Sequence, residues 1–107
     1  MNHKIRHIMR VMEQNLDKRM TLAFLAASVH VTPAYLCRLF KSEIGVAPIQ
    51  YINRLRIQRA HDLLQSSFLS VKEIAGAVGY SDPSRFSRDF KKKYQIAPTV
   101  FRQTSSN

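Results

Sequence analysis

The sequence predicts an all-α fold of about seven helices, in two similar units joined by one long helix. Apolar residues recur three and four positions apart almost throughout the chain, as on one face of a helix. The 107 residues include only three glycines and four prolines, and no segment alternates with period two for long. An internal repeat, described below, divides the helices into two units.

The first unit is predicted to contain three helices. The apolar stripe of the first is Ile5, Ile8, Met9, Met12 and Leu16, and that of the shorter second is Leu22, Leu25, Ala26 and Val29. A third helix begins at Thr32 and Pro33, because Thr is a good N-cap and Pro suits the first helical position. Its stripe is Leu36, Leu39, Phe40 and Ile44, and Gly45 ends it as a left-handed cap.

A longer helix follows from Pro48 to about Leu64, and the second unit comes after it. The apolar positions of the long helix are Ile49, Ile52, Leu55, Ala60, Leu63 and Leu64. After the loop 65–69, Ser70 and Glu73 form a capping box that begins a helix with Val71, Ile74, Ala75 and Val78 inward. Asp82 and Pro83 repeat the cap-plus-proline start of a helix that is lined by Phe86, Phe90 and Tyr94, and Pro98 begins a last short helix.

The repeat pairs the segment that starts at Leu22 with the one that starts at Val71, if one residue near Ser81 is inserted. After the insertion, Pro33 pairs with Pro83, Leu36 with Phe86, Arg38 with Arg88, Phe40 with Phe90 and Lys41 with Lys91. A short helix joined tightly to a capped helix of about three turns is a helix-turn-helix arrangement. The predicted organisation is one such unit at 5–47, a linker helix at 48–64 and a second unit at 70–103.

The charge of the chain indicates a polyanionic partner. Seventeen Lys and Arg against seven Asp and Glu give a formal net charge of +10. The longest apolar run, from Leu22 to Ala27, is too short to span a bilayer, and the N-terminus lacks the features of a signal peptide. We therefore expect a soluble, cytoplasmic protein that does not bind membranes.

Metal and cofactor chemistry is not expected. The single cysteine, Cys37, excludes an internal disulfide and a multi-cysteine zinc site. The four histidines have no metal-ligand spacing, which favours a surface or packing role for them.

The long helix carries three arginines, each of which is expected either to contact a phosphate or to form a structural pair with another side chain: Arg54, Arg56 and Arg59.

The outward faces of the two longer unit helices carry the candidate binding residues. With Leu36 and Phe40 inward, the helical period places Ala34, Cys37, Arg38 and Lys41 outward, and the second unit presents Ser84, Ser87, Arg88 and Lys91 in the same way. Small residues let a helix enter a major groove, where Arg reads a guanine edge and Lys contacts phosphate. The candidate phosphate contacts are Lys41, Arg85, Lys91 and Lys92. A buried structural thiol is the alternative for Cys37.

Three other classes of function compete with sequence-specific DNA binding. An enzyme is disfavoured because the sequence has no nucleophile with a recognisable base, no glycine-rich phosphate loop and no metal cluster. An RNA-binding module is disfavoured because A-form major grooves do not admit such helices. A non-specific nucleic-acid-binding or nucleoid-associated protein is the serious alternative, which a specificity ratio at fixed salt distinguishes.

The segment from Ala60 to Pro98, with YLCRLFKSEIG and YINRLRIQRA before it, resembles the AraC/XylS family of transcription regulators. The resemblance extends from Ile5 to Arg102, and its most specific motifs are I-A-x-x-x-G-Y and F-x-R-x-F-K, followed by Ala-Pro. It implies that residues 1–107 form a DNA-binding domain with two helix-turn-helix motifs, without a small-molecule ligand in this segment. His30 stands where relatives often have Gly, whereas Gly79 keeps it.

The resemblance also implies roles for particular residues and for the bound domain. The base-reading positions it implies are Ala34, Cys37, Arg38, Pro83, Ser84, Ser87 and Arg88. Two recognition helices are then expected to enter successive major grooves of a non-palindromic site, about 34 Å apart. The family's usual action is to recruit or position RNA polymerase, most often as an activator.

Overall fold

The computed structural model describes residues 1–105, which form seven α-helices and no strand in that range. The helices are α1 (His3–Gln14), α2 (Leu22–Ser28), α3 (Pro33–Ile44), α4 (Pro48–Ser66), α5 (Val71–Ala77), α6 (Pro83–Tyr94) and α7 (Pro98–Ser105). This confirms the predicted all-α fold of about seven helices.

The chain divides into two compact units, Met1–Leu55 and Arg56–Asn107, and the boundary falls within α4. Each unit has its own core of buried apolar side chains. The first core is Ile5, Ile8, Met12, Leu16, Met20, Leu25, Ala26, Val29, Leu36, Phe40 and Ile52. The second is Ile57, Ala60, Leu64, Ile74, Ala75, Val78, Tyr80, Phe86 and Phe90.

The long helix α4 contributes to both cores, and this corrects the predicted apolar stripe. Ile49 was expected to face inward but is 40% exposed, and Ile57, which the stripe omitted, is only 3% exposed. Ile52 packs in the first core, whereas Ile57 and Leu64 pack in the second. A single inward face was the wrong model for this helix, because its two halves pack against different sets of side chains.

Side-chain caps begin the helices at the predicted places. The Oγ1 atom of Thr32 accepts a hydrogen bond of 3.2 Å from the backbone N–H of Tyr35, and Asp82 accepts one of 3.0 Å from that of Ser84. Ser70 and Glu73 form the predicted reciprocal capping box, with bonds of 3.0 and 2.9 Å. These bonds satisfy N–H groups that the first turn of a helix leaves without a partner.

Two helix ends differ from the sequence prediction. α1 ends at Gln14, so Leu16 lies beyond the helix although it is buried. α4 continues to Ser66 rather than ending near Leu64. At this end the hydroxyls of Ser66 and Ser67 donate to the carbonyls of Asp62 and Leu63, each at 2.8 Å. The carbonyl of Leu63 also accepts the backbone N–H of Ser67 at 3.0 Å.

The repeat seen in the sequence also appears in the burial of the side chains. Residues 32–50 and 82–100 have the same burial class at every position. The correspondence also reaches back before α2, since residues 5–12 match residues 57–64 in the same way. The second half of α4 therefore does in the second unit what α1 does in the first, with Ile57, Ala60 and Leu64 in the places of Ile5, Ile8 and Met12.

Each unit has two left-handed backbone positions, and a glycine occupies only one of them. In the turn after the short helix, the first unit has His30 at φ 59° and the second has Gly79 at φ 99°. At the end of the longer helix the order is reversed, with Gly45 at φ 95° and Gln95 at φ 66°. Gly45 is thus the predicted left-handed cap. The two non-glycine residues have φ values close to the left-handed minimum, whereas the glycines lie well beyond it.

Candidate nucleic-acid interface

In the first unit, the axes of α2 and α3 differ by 86°, the geometry of a helix-turn-helix. The turn between them is closed by backbone hydrogen bonds from His30 to Ala27 and from Val31 to Ala26, at 3.2 and 3.1 Å. The second unit has the equivalent bond from Tyr80 to Ala75 at 2.9 Å. Both turns therefore use the same main-chain pattern, although their side chains differ.

The outward face of α3 carries the predicted residues of the first unit. Leu36 and Phe40 are fully buried. Ala34, Arg38 and Lys41 are exposed, and Cys37 is partly exposed between them. The alternative of a buried thiol is therefore wrong, because the side chain of Cys37 is partly exposed.

The outward face of α6 repeats this arrangement in the second unit. Phe86 and Phe90 are fully buried. The exposed candidates are Pro83, Ser84, Arg85, Arg88, Lys91 and Lys92, and Ser87 is partly exposed. The structure thus brings the base-reading and phosphate candidates of each unit onto one accessible helix, within that unit.

A polar contact fixes α6 against its turn. The phenol of Tyr80 donates a 2.8 Å hydrogen bond to the Asp89 carboxylate, and its ring meets Phe86 edge-on with centroids 5.4 Å apart. Burial raises the pKa of Tyr80, and the bond to Asp89 raises it further, so the phenol remains a donor. In the first unit Val31 and Leu39 occupy the equivalent places, and both are apolar.

Aromatic side chains hold the other side of α6. His61 of α4 stacks on Tyr94 with ring centroids 4.5 Å apart and lies 4.7 Å from Phe101 of α7. Phe90 packs against Phe101 at 5.7 Å. The packing role expected for the histidines is confirmed for His61. The exposed face of α6 is thus backed by a well-packed, largely aromatic layer.

The arginines of α4 differ in exposure. Arg54 and Arg59 are exposed, whereas Arg56 is partly buried, and this burial lowers its pKa. Sequence reasoning did not single out Tyr35, an α3 side chain that is 46% exposed. The repeat was the signal that could have found it, because Tyr35 occupies the place that Arg85 has in the second unit.

Two further observations concern the part of the chain that the structure describes. Residues 1–105 contain no group of three or more His, Cys, Asp or Glu side chains that could hold a metal ion. None of their helices is by itself long and apolar enough to cross a membrane, and only the bent pair of α2 and α3 reaches that length and composition.

Comparisons with known proteins identify the family to which this chain belongs. Residues 25–104 match the model of a helix-turn-helix domain. A transcriptional regulator of Chromobacterium violaceum, described as AraC-type, is 31% identical with a TM-score of 0.89, over 97% of this chain and 93% of that one. The chain belongs to the AraC-type helix-turn-helix family. This family comprises DNA-binding transcription regulators, in agreement with the prediction that the chain is not an enzyme.

Two other relatives are associated with DNA and with activation of transcription. The DNA-binding domain of AdpA, solved in complex with a target DNA, has a TM-score of 0.89 and 26% identity, over 94% of this chain and 90% of that one. The lactose operon transcription activator of Staphylococcus xylosus is 33% identical over 94% of this chain, which corresponds to 36% of its own length. The chain spans about a third of the length of the curated relatives that it matches.

Proposed function

We propose that this AraC-type domain reads a specific, non-palindromic DNA site by inserting α3 and α6 into successive major grooves. The observation that carries the proposal is the position-by-position repeat of the two helices, which gives each an exposed arginine at the same place, Arg38 and Arg88. A guanidinium group at this place can donate two hydrogen bonds to one guanine edge. Because the remaining exposed side chains of the two helices differ, each helix is expected to read a different half of the site.

The other residues of the two faces complete the proposed interface. In the first unit Ala34 and Cys37 lie beside Arg38, and both are small enough for the helix to approach the bases closely. In the second unit Pro83, Ser84 and Ser87 take these roles beside Arg88. The proposed phosphate contacts are Lys41, Arg85, Lys91 and Lys92, all exposed lysines or arginines. Contacts to phosphate position the helices, whereas contacts to base edges distinguish sequences.

The proposed regulatory role is activation of transcription in the cytoplasm of a bacterium, by positioning RNA polymerase at the bound site. Similarity to a relative named as a lactose operon transcription activator supports this direction of regulation. The partner is double-stranded DNA, and the net charge of +10 suits it.

The decisive experiment is selection of bound sites from random duplexes by the wild type and by Arg38→Ala and Arg88→Ala. Each variant is expected to lose about 1–3 kcal/mol on the selected site and to relax base preference at one position only. The two relaxed positions should lie about one turn of DNA apart, near 10 base pairs.

Lys91→Ala is the matched control, because it removes one charge from the same helix as Arg88. It is expected to weaken binding to all sequences alike and to reduce the slope of log K against log salt by up to about one. If neither arginine variant changes base preference, the assignment of α3 and α6 as recognition helices is wrong. If the wild type binds all duplexes equally well, the chain is a non-specific DNA-binding protein.

A further inference from the structure

A group of polar side chains lies beside α3 in the first unit, apart from its base-reading face. Lys4 of α1, His30 and Thr32 of the turn, and Tyr35 of α3 line one shallow depression of about 440 Å³, together with Val31. Lys4, His30 and Thr32 are exposed, and Tyr35 is 46% exposed. Two stretches that are far apart in the sequence, at Lys4 and at 30–35, thus contribute polar groups to one small surface.

The chemistry of this surface suits an anion. The Lys4 ammonium group is a positive charge with three donors, and the Tyr35 hydroxyl can donate one hydrogen bond. Thr32 uses its oxygen to accept from the backbone N–H of Tyr35 at 3.2 Å, a bond that does not use the hydroxyl hydrogen. None of the five lining residues is acidic. The nearby carboxylate of Glu43 accepts from the backbone N–H of Asn2, at 3.2 and 3.4 Å.

The second unit places basic side chains at the corresponding positions. Extending the match of residues 5–12 with 57–64 by one residue places Lys4, which is exposed, opposite Arg56, which is partly buried. The match of residues 32–50 with 82–100 aligns Tyr35 with Arg85, and both are exposed. The positive charges of Arg56 and Arg85 both oppose the rise in the pKa of Tyr80 that burial causes. In both units, therefore, the helix before the short helix and the first turn of the recognition helix carry hydrogen-bond donors at corresponding positions.

We propose that Lys4 and Tyr35, with Thr32 and His30 beside them, bind one backbone phosphate of duplex DNA at the flank of α3. The proposal rests on the proposed function, because it requires α3 to lie in a major groove. A phosphate offers oxygen acceptors and a negative charge to the ammonium and hydroxyl groups. Such a contact holds α3 in position without reading a base. It is the counterpart in the first unit of the phosphate contact proposed for Arg85.

The first test compares Lys4→Ala with Arg10→Ala, a matched control. Arg10 is an exposed basic residue of the same helix α1, and it does not line the depression at Tyr35. Dissociation constants are measured on the selected site and on an unrelated duplex. Lys4→Ala is expected to weaken both by the same factor, about 3- to 10-fold, and to reduce the salt slope by about one. Tyr35→Phe is expected to weaken both about 2- to 5-fold, and Arg10→Ala less than 2-fold.

The second test locates the phosphate. Each phosphate of the selected site is replaced in turn by a neutral methylphosphonate, and binding of the wild type is compared with that of Lys4→Ala. One replacement should weaken the wild type yet leave Lys4→Ala unaffected, because the variant has already lost that contact. Circular dichroism melts of the variants serve as the control for folding.

Two results would overturn the proposal. One is that Lys4→Ala and Arg10→Ala weaken DNA binding by the same factor. The other is that every methylphosphonate that weakens binding of the wild type also weakens binding of Lys4→Ala. Both results are compatible with intact sequence reading by Arg38, which is tested separately. If instead the wild type binds all duplexes alike, the sequence-reading function fails. The comparison of Lys4 with Arg10 still decides the phosphate site in that case, because the contact does not depend on base sequence.

Discussion

Arg102 of α7 is expected to be the most important polar residue for the stability of the second unit. Its guanidinium group donates to the carbonyls of Leu64 and Ser67, each at 3.3 Å, and to that of Leu69. These carbonyls belong to the end of α4 and to the loop that leads to α5. One side chain therefore ties three segments together, over separations of 33 to 38 residues.

The cost of Arg102→Ala follows from these bonds. A hydrogen bond to a charged group contributes about 1.5–3 kcal/mol to stability when it is buried. Two of the three bonds are partly buried and one is exposed, so we expect a loss of about 2–4 kcal/mol in the free energy of unfolding. Arg102→Lys should recover only part of this, because an ammonium group cannot match the guanidinium fork.

The measurement is urea unfolding combined with amide hydrogen exchange, which separates protection in residues 56–105 from that in residues 1–55. Arg102→Ala should lower protection in the second unit first. Thr104→Ala is the matched control, since its hydroxyl is exposed and donates only to the carbonyl of Phe101 in the same helix. If Arg102→Ala costs no more than this control, the three bonds do not stabilise the second unit.

Three further predictions test the backbone, the capping box and the turn. Gly45→Ala should lower the free energy of unfolding by about 1–2 kcal/mol, because φ is 95° at this position. The whole effect should come from backbone strain, since no atom lies within 4 Å of the added Cβ. An unchanged urea midpoint would contradict this. The bond from the Ser70 N–H lowers the pKa of Glu73 below its usual 4.5. The free energy of unfolding should therefore fall as the pH drops below about 4.5. A Glu73→Gln variant that keeps the same pH dependence would refute this prediction. Tyr80→Phe should lower the free energy of unfolding by about 1–3 kcal/mol, because the partly buried carboxylate of Asp89 loses its donor. Urea unfolding measures this change, and an unchanged free energy of unfolding would count against the contact.

Local signals were sufficient for most of the helices. The caps at Thr32, Ser70 and Asp82 occur where the sequence predicted them, because a cap depends only on residues within one turn. The outward position of Arg38 and Arg88 followed from the helical period once Leu36 and Phe86 were placed in the core. Hydrophobic periodicity was less reliable in α4, where Ile49 is exposed and Ile57 is buried.

The sequence by itself determined the helices, the repeat that aligns Arg38 with Arg88, and the likeness to AraC-type regulators. These depend on patterns within short segments, which are visible without knowing what packs against them. Only the tertiary structure showed that the second half of α4 replaces α1 in the second unit, and that Lys4 and Tyr35 line the same depression. The bond from Arg102 to a loop more than 30 residues away is of the same kind. The physical reason is that contacts between distant segments depend on how helices pack, and no local periodicity encodes that packing.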